Sequence, residues 1–373
     1  MKKWLWMAVA VGACGGAGST ADVASTNRDA GATVDTTDAG FVDPATHVDA
    51  TPPGDATDMP DGAAPIGSDS APPVDGSLAG PLTIEALQVA GTHNSYHIAP
   101  AVAFDASHKY TQLPLDQQLA GGVRAFELDL HLRDDGGFDI YHITLIDPNS
   151  TCATLQDCLG VVSTWSGAHP KHTPIFIWFE LKDDTGGQPI NDLVPIETAI
   201  LKVFPKEQLI TSAWLRGAYA SPHERILKSG WPTLEEAQGK IMFSIITRDA
   251  RTQQYAHDFT SLDDRLMFVN PTPAQYDMPW ASITKVDDLL DSASIAGAHK
   301  AHLLVDANIC AVNMKDDECQ MRLTTGISAG VNMLHDDLPF PIAGRAYSLK
   351  LPGGSPGCNP VTAPPGCKPS LLE

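Results

Sequence analysis

The run Ile175–Leu181, Ile-Phe-Ile-Trp-Phe-Glu-Leu, sets one carboxylate among six apolar neighbours. A stretch this apolar is buried on both faces of a strand, which belongs to an α/β fold whose sheet is covered by helices. Glu180 inside it needs a strong partner, because an isolated buried carboxylate is costly. A second run, Val123–Leu132, alternates cleanly. Glu127, Asp129 and His131 share one face, and Phe126, Leu128 and Leu130 share the other. A third, Leu87–Ala90, stops at Gly91, where the missing side chain permits a close turn. It releases Thr92, His93 and Asn94 at the carboxyl end of the strand, where parallel α/β folds build their chemistry.

From Pro81 onward, strands and helices alternate. Strands are expected at 87–90, 123–132, 138–143, 175–181, 240–247, 266–270, 302–306 and 331–334. Helices are expected at 114–120, 152–169, 192–204, 234–238, 286–293 and 318–327. Eight strands in one αβ rhythm fit a single distorted (β/α)8 TIM barrel over residues 81–338, with a doubly wound open sheet as the alternative. Residues 339–373 are rich in Gly and Pro and read as a strapped-down tail.

Charge excludes some functions. The net charge is −21, and residues 15–80 hold eleven Asp against one Arg. Without that stretch and without Lys2 and Lys3, residues 81–373 still carry −13. Nucleic acid is therefore excluded as a partner, since phosphate backbones need clustered Lys and Arg. Electrostatic docking on an anionic membrane is excluded on the same ground. Residues 15–80, almost free of large apolar side chains, cannot bury enough surface to order themselves and read as a disordered tether. Its end-to-end distance would be about 45 Å.

Lys2 and Lys3 precede an apolar run, Trp4–Ala13, that is too short to span a bilayer. Val11-Gly12-Ala13-Cys14 then resembles a bacterial lipobox, so residues 1–14 read as a lipoprotein signal with Cys14 as the lipidated residue. An ordinary secretory signal is the alternative. Six other cysteines fall in local pairs: Cys152/Cys158, Cys310/Cys319 and Cys358/Cys367. In an exported chain such spacings read as disulfides, although six cysteines allow 15 pairings. Zinc is disfavoured because no Cys-x-x-Cys is present.

Glu127, Asp129 and Glu180 repel one another unless a cation lies between them. A divalent ion held by Asn94, Glu127, Asp129 and Glu180 answers all three. An all-oxygen set selects a hard cation, calcium more readily than magnesium. His93 and His142 complete the set as two imidazoles able to act as base and acid, in either order, on a phosphodiester, each worth roughly 10²–10⁴-fold. Of the other histidines, His47, His108, His169, His172, His223 and His257 lack any motif and read as solvated or loop residues. His97, His131, His299, His302 and His335 stay undecided.

Gly-Thr-His-Asn-Ser-Tyr-His at 91–97, Leu115–Leu130, Tyr141-His142-Ile143, Ser150–Leu159 and Pro174–Asp184 together resemble the bacterial calcium-dependent phosphatidylinositol phospholipase C family. The likeness is close over 87–184 and looser beyond. It implies a distorted TIM barrel, His93 and His142 as the catalytic pair, and Asn94, Glu127, Asp129 and Glu180 as calcium ligands. Metal-independent relatives carry Asp-x-Arg where this chain has Glu127-x-Asp129, which places it in the calcium-using group. The resemblance also implies cleavage of phosphatidylinositol to diacylglycerol and a cyclic inositol phosphate. The enzyme is expected to be a monomer that reaches the membrane surface through lipidated Cys14. Ser244 and Ile246 stand where eukaryotic members have phosphate-gripping lysines, so bisphosphorylated head groups are not expected. A sphingomyelinase-D-like phosphodiesterase and an inactive lipid-binding module are the alternatives. Asn94 argues against the first, and the complete catalytic set against the second.

Overall fold

Period-two alternation along parallel strands sorts their side chains into two shells, and that sorting places every polar group discussed below. A computed structural model of the chain describes residues 78–183 and 188–373. The expected signal segment, Cys14 and nearly all of the tether lie outside the described residues. The strands are β1 (Leu87–Thr92), β2 (Val123–Leu132), β3 (Phe138–Ile140), β4 (Ile175–Leu181), β5 (Leu209–Ile210), β6 (Ile241–Ile245), β7 (Met267–Val269), β8 (Ile283–Lys285), β9 (Leu304–Cys310), β10 (Met333–Asp336) and β11 (Gly357–Cys358).

Eight of these run parallel in the order β7-β6-β4-β2-β1-β10-β9-β8 and curl into a distorted barrel. Among the described residues no backbone ladder joins β7 to β8. The Asn270 side chain bridges that seam instead. Its amide donates to the carbonyls of Ile246 and Lys285 (3.3 and 3.2 Å), and its Oδ1 accepts from the Lys285 N–H at 3.0 Å.

The outer shell holds Phe126, Leu128 and Leu130 of β2, Ile177 and Phe179 of β4, and Val305, Ala307 and Ile309 of β9, packed with the surrounding helices. Each large buried side chain contributes about 1.5–3 kcal/mol. The longest helix, Leu155–Ala168, starts at a reciprocal cap between Thr154 and Asp157 and turns Leu155, Leu159 and Val162 inward. The inner shell is apolar at the beginnings of the strands, with Leu87, Val89, Ala125, Phe176, Trp178, Met242, Phe268, Ile283, Leu304 and Met333. Trp231, Leu234 and Leu372 belong to the same cluster. Two residues further along the same faces, the shell turns polar: Glu127, Asp129, Ser244, Lys285, Asp306 and His335 are all buried. Glu180 follows Trp178 on β4 in the same way.

The structure redistributes two expected elements. Phe138–Ile140 pairs antiparallel with β2 as a hairpin arm, outside the parallel barrel. The eighth barrel strand is Ile283–Lys285, three residues long and too short to show periodicity. The helix expected at 286–293 lies instead at Ser292–Lys300, where Asp291 caps its first turn. All three cysteine pairs are bonded as the local spacings indicate. In the segment 339–373, Tyr347 and Leu349 are buried in the outer core, and Gly357–Cys358 pairs with the start of β1. Among the described residues no helix is long and apolar enough to cross a membrane.

Candidate active site and metal centre

β1 is the barrel strand with no side chain at its turning point. A Cβ on Gly91 would lie 2.6 Å from the His335 ring, so only glycine fits. After Thr92 the chain leaves the sheet through Asn94, whose φ of 42° is a left-handed value that asparagine tolerates. Ser95 ties this turn to β2: its N–H donates to the Glu127 carbonyl (3.0 Å), and its Oγ accepts from the Glu127 N–H (2.8 Å). The turn thereby holds His93 and Asn94 beside the carboxylates of β2.

Glu127, Asp129 and Glu180 converge, each offering an oxygen within 4.8 Å of the others. The register explains it, since Asp129 stands directly across from Glu180 on β4. Asp129 is fully buried, with Lys182 and Tyr96 as its polar neighbours. Burial therefore pushes its carboxyl up to about 8; Lys182 only partly offsets this, and Glu180 and Glu127 add to it. Lys182 Nζ lies 3.2 Å from Asp129 and 2.9 Å from Glu180. Burial raises the Glu127 carboxyl too, but Lys285 (3.3 Å), His93 and His335 outweigh it, and the net direction is down. Asn94 is buried, and its Oδ1 accepts from the Tyr96 hydroxyl at 3.3 Å, beside Asp129. The orphaned oxygens of Glu127 and Asp129, the Glu180 carboxylate and a neutral amide oxygen fit a hard divalent cation by the chemistry of the donors.

The histidines are held differently. His93 has a third of its side chain exposed, with Nδ1 2.8 Å from Asp337 and Nε2 3.6 Å from Glu127. Burial works against its charged form, but Glu127 and Asp337 prevail and raise it to about 9. His142 sets Nδ1 2.8 Å from buried Asp147. Its net shift is downward, from burial and the charge of Lys182 against the pull of Asp147. Lys182 thus acts on both the carboxylate group and His142.

Sequence reasoning did not reach Asp337, Asp147, Lys182, Lys285, Asp306 or His335. Lys285 bridges Glu127, Asp306 (2.7 Å) and Asn308 (2.8 Å), and His335 Nε2 lies 2.8 Å from Asp306. The adjacent pair Asp336-Asp337 at the end of β10 was the available signal for Asp337. His108, His172 and His223, expected in solvent or loops, are buried. His108 sits on the loop that packs over Asp147, and His172 bonds Ser166 and Thr173.

Residues 132–360 match the family model described as phosphoinositide phospholipase C, Ca2+-dependent. That segment contains His142 and Glu180 and begins after Asp129, whereas the sequence resemblance was densest over 87–184. Among solved structures, the calcium-dependent phosphatidylinositol-specific phospholipase C of Streptomyces antibioticus is similar in fold, with a TM-score of 0.53. It shares 19% identity over 69% of this chain and 95% of its own. A calcium-dependent phosphoinositol-specific phospholipase C from Pseudomonas sp. shares 19% identity over 68% of this chain and 90% of its own, with a TM-score of 0.49. No curated protein matches the sequence.

Proposed function

The chain belongs to the calcium-dependent phosphoinositide phospholipase C family, and from that premise we propose that His93 and His142 cleave phosphatidylinositol as a general base and a general acid. The observation that carries this is the matched pairing of each imidazole with a buried carboxylate. Asp337 accepts from Nδ1–H of His93, and Asp147 from Nδ1–H of His142. Each carboxylate selects the tautomer whose Nε2 faces the reaction.

His93 Nε2 takes the proton of the inositol 2-hydroxyl, whose oxygen attacks its own phosphorus. The phosphorus–oxygen bond to diacylglycerol breaks, and His142 Nε2 supplies the proton to the departing oxygen. The products are diacylglycerol and a 1,2-cyclic inositol phosphate. Asn94, Glu127, Asp129 and Glu180 hold the calcium ion, which when bound lowers the pKa of the attacking hydroxyl and offsets negative charge on the phosphate. Lys285 keeps Glu127 ionised and fixed, and Tyr96 orients Asn94.

Ser244 in place of a lysine supports unphosphorylated phosphatidylinositol as the substrate; it is buried with no basic partner. Val102, Phe104 and Leu145 are exposed by 71%, 73% and 89% on the loops that carry His97, His108, His142 and Asp147. An apolar rim beside the general acid suits a lipid surface. The lipobox motif supports an enzyme anchored through Cys14 at the cell envelope. In that arrangement residues 15–80 are the tether, 81–338 the barrel and 339–373 its closing segment.

Turnover of labelled phosphatidylinositol and sphingomyelin in vesicles, with calcium and with chelator, tests the reading. Diacylglycerol should form from phosphatidylinositol alone and stop in chelator. Release of choline-derived product, or full activity in chelator, refutes the substrate or the metal assignment respectively. Leu145→Asp should lower turnover on vesicles while sparing a soluble inositol phosphodiester.

A further inference from the structure

Asp147 is fully buried, yet three imidazoles are aimed at it. His97 Nε2 lies 2.9 and 2.8 Å from its two oxygens, and His142 Nδ1 lies 2.8 Å from Oδ2. His108 Nδ1, on a buried residue, lies 3.7 Å from the same Oδ2 and has no hydrogen-bond partner. The nitrogens of His97 and His142 and a carboxylate oxygen of Asp147 fall within 4.8 Å of one another.

His97 shows what this cluster lacks. Its Nδ1 faces the Tyr110 carbonyl at 2.9 Å, and a carbonyl only accepts, so Nδ1 carries the hydrogen. A neutral imidazole then turns the Nε2 lone pair toward a carboxylate. Two acceptors at 2.8 Å repel unless a positive centre joins them, either a second proton on His97 or a metal ion. The surroundings are those of a metal ligand. A ligating histidine commonly donates its other N–H to a backbone carbonyl, and the Tyr110 ring stacks on His97 at 4.3 Å and fixes its plane.

We propose that His97, His108, His142 and Asp147 form a transition-metal site of the zinc class, and that an ion bound there silences the general acid. The silencing rests on the role given to His142 above; the site itself does not. Three imidazole nitrogens and one carboxylate oxygen make a four-coordinate N3O set, which selects zinc or cobalt over calcium. The all-oxygen group of Glu127, Asp129 and Glu180 has the opposite preference. A tetrahedral ion with ligands at 2.0–2.1 Å spaces them about 3.3 Å apart, so the 2.8 Å contacts of His97 and His142 need to open by only about half an ångström, while His108, which stands outside the 4.8 Å group, must swing inward to complete the set. His142, with one-fifth of its side chain exposed, is the point of entry. An ion on its Nδ1 replaces the hydrogen bond to Asp147 and leaves the remaining proton locked on Nε2, so no proton is exchanged with the leaving oxygen.

The test uses the full chain in saturating calcium, with Co2+ as the optical probe and Zn2+ as its competitor. One equivalent of Co2+ should give the intense visible absorption of a four-coordinate site, and Zn2+ should erase it. His108→Ala and His142→Ala should each weaken binding at least tenfold, and His142, one-fifth exposed, keeps the test readable where the fully buried Asp147→Asn fails to fold. The spectrum is read without turnover, so it stands or falls independently of the phospholipase assignment. Phosphatidylinositol cleavage should fall as the site fills and return when Zn2+ is withdrawn. Weak absorption like that of the free ion, or binding unchanged in both variants, overturns the site. Binding with cleavage unaffected overturns the silencing.

Discussion

His93 and His142 share one design, an imidazole with a carboxylate behind Nδ1, but their environments pull them apart. Glu127 and Asp337 push His93 up, while burial and Lys182 push His142 down. Leaving-group chemistry separates their roles. His142→Ala should lose ~10²–10⁴-fold on phosphatidylinositol and much less on a nitrophenyl inositol phosphate, whose leaving group needs no proton. His93→Ala should harm both substrates alike, and the reverse pattern exchanges the two roles. Another residue shows linkage without catalysis. His172 is buried between Ser166 and Thr173, and burial, helped by Arg124 and His169, lowers its pKa from 6.5 despite the Thr173 carbonyl. The unfolded chain binds the proton more readily, so the contribution of His172 is complete above about pH 6.5 and is lost as pH falls toward its folded value. Denaturant unfolding across pH 4–8 (about that span) should show stability declining on the acid side. His172→Gln should flatten that part of the profile, and an unchanged slope would refute it.

Elements became legible from sequence in proportion to their length and periodicity. Val123–Leu132 and Ile175–Leu181 read correctly to the residue, because ten alternating positions and a run of seven with six apolar leave no other secondary structure. Ile283–Lys285 has three residues, so Lys285, which contacts Glu127, went unread with it. Asp337 and Asp147 escaped for a different reason: their role exists only through tertiary approach, and Asp337 is 244 residues from His93. Gly91 was expected to end the strand and open a turn, but it lies within β1, which runs on to Thr92, and its missing side chain serves the close approach of the His335 ring instead. Gly91→Ala drives a methyl into the His335 ring and into Ala125. Because overpacking costs about 1–3 kcal/mol, the denaturation midpoint should fall accordingly and calcium affinity should fall with it. Wild-type stability in Gly91→Ala would mean that β1 shifts freely.

At the scale of the whole molecule, a polar layer sits on an apolar floor inside one barrel, and the segment 339–373 belongs to its packing through Tyr347 and Leu349. The seam between β7 and β8 has a mechanical consequence. Seven joints of the hoop are backbone ladders, while the eighth is a clip of side chains, Asn270 with Arg248 and Thr284. A hoop with a clip can change its circumference without unzipping any stave. Lys285 rides on the clipped edge and grips Glu127, so a looser hoop is felt at once by that buried carboxylate on the far wall. Amide exchange should report this as weaker protection at Met267–Val269 and Ile283–Lys285 than along Glu127–Leu130. Equal protection would mean the hoop is rigid all the way round. The barrel is therefore tuned at its weakest joint, where the Asn270 amide helps to set the tension.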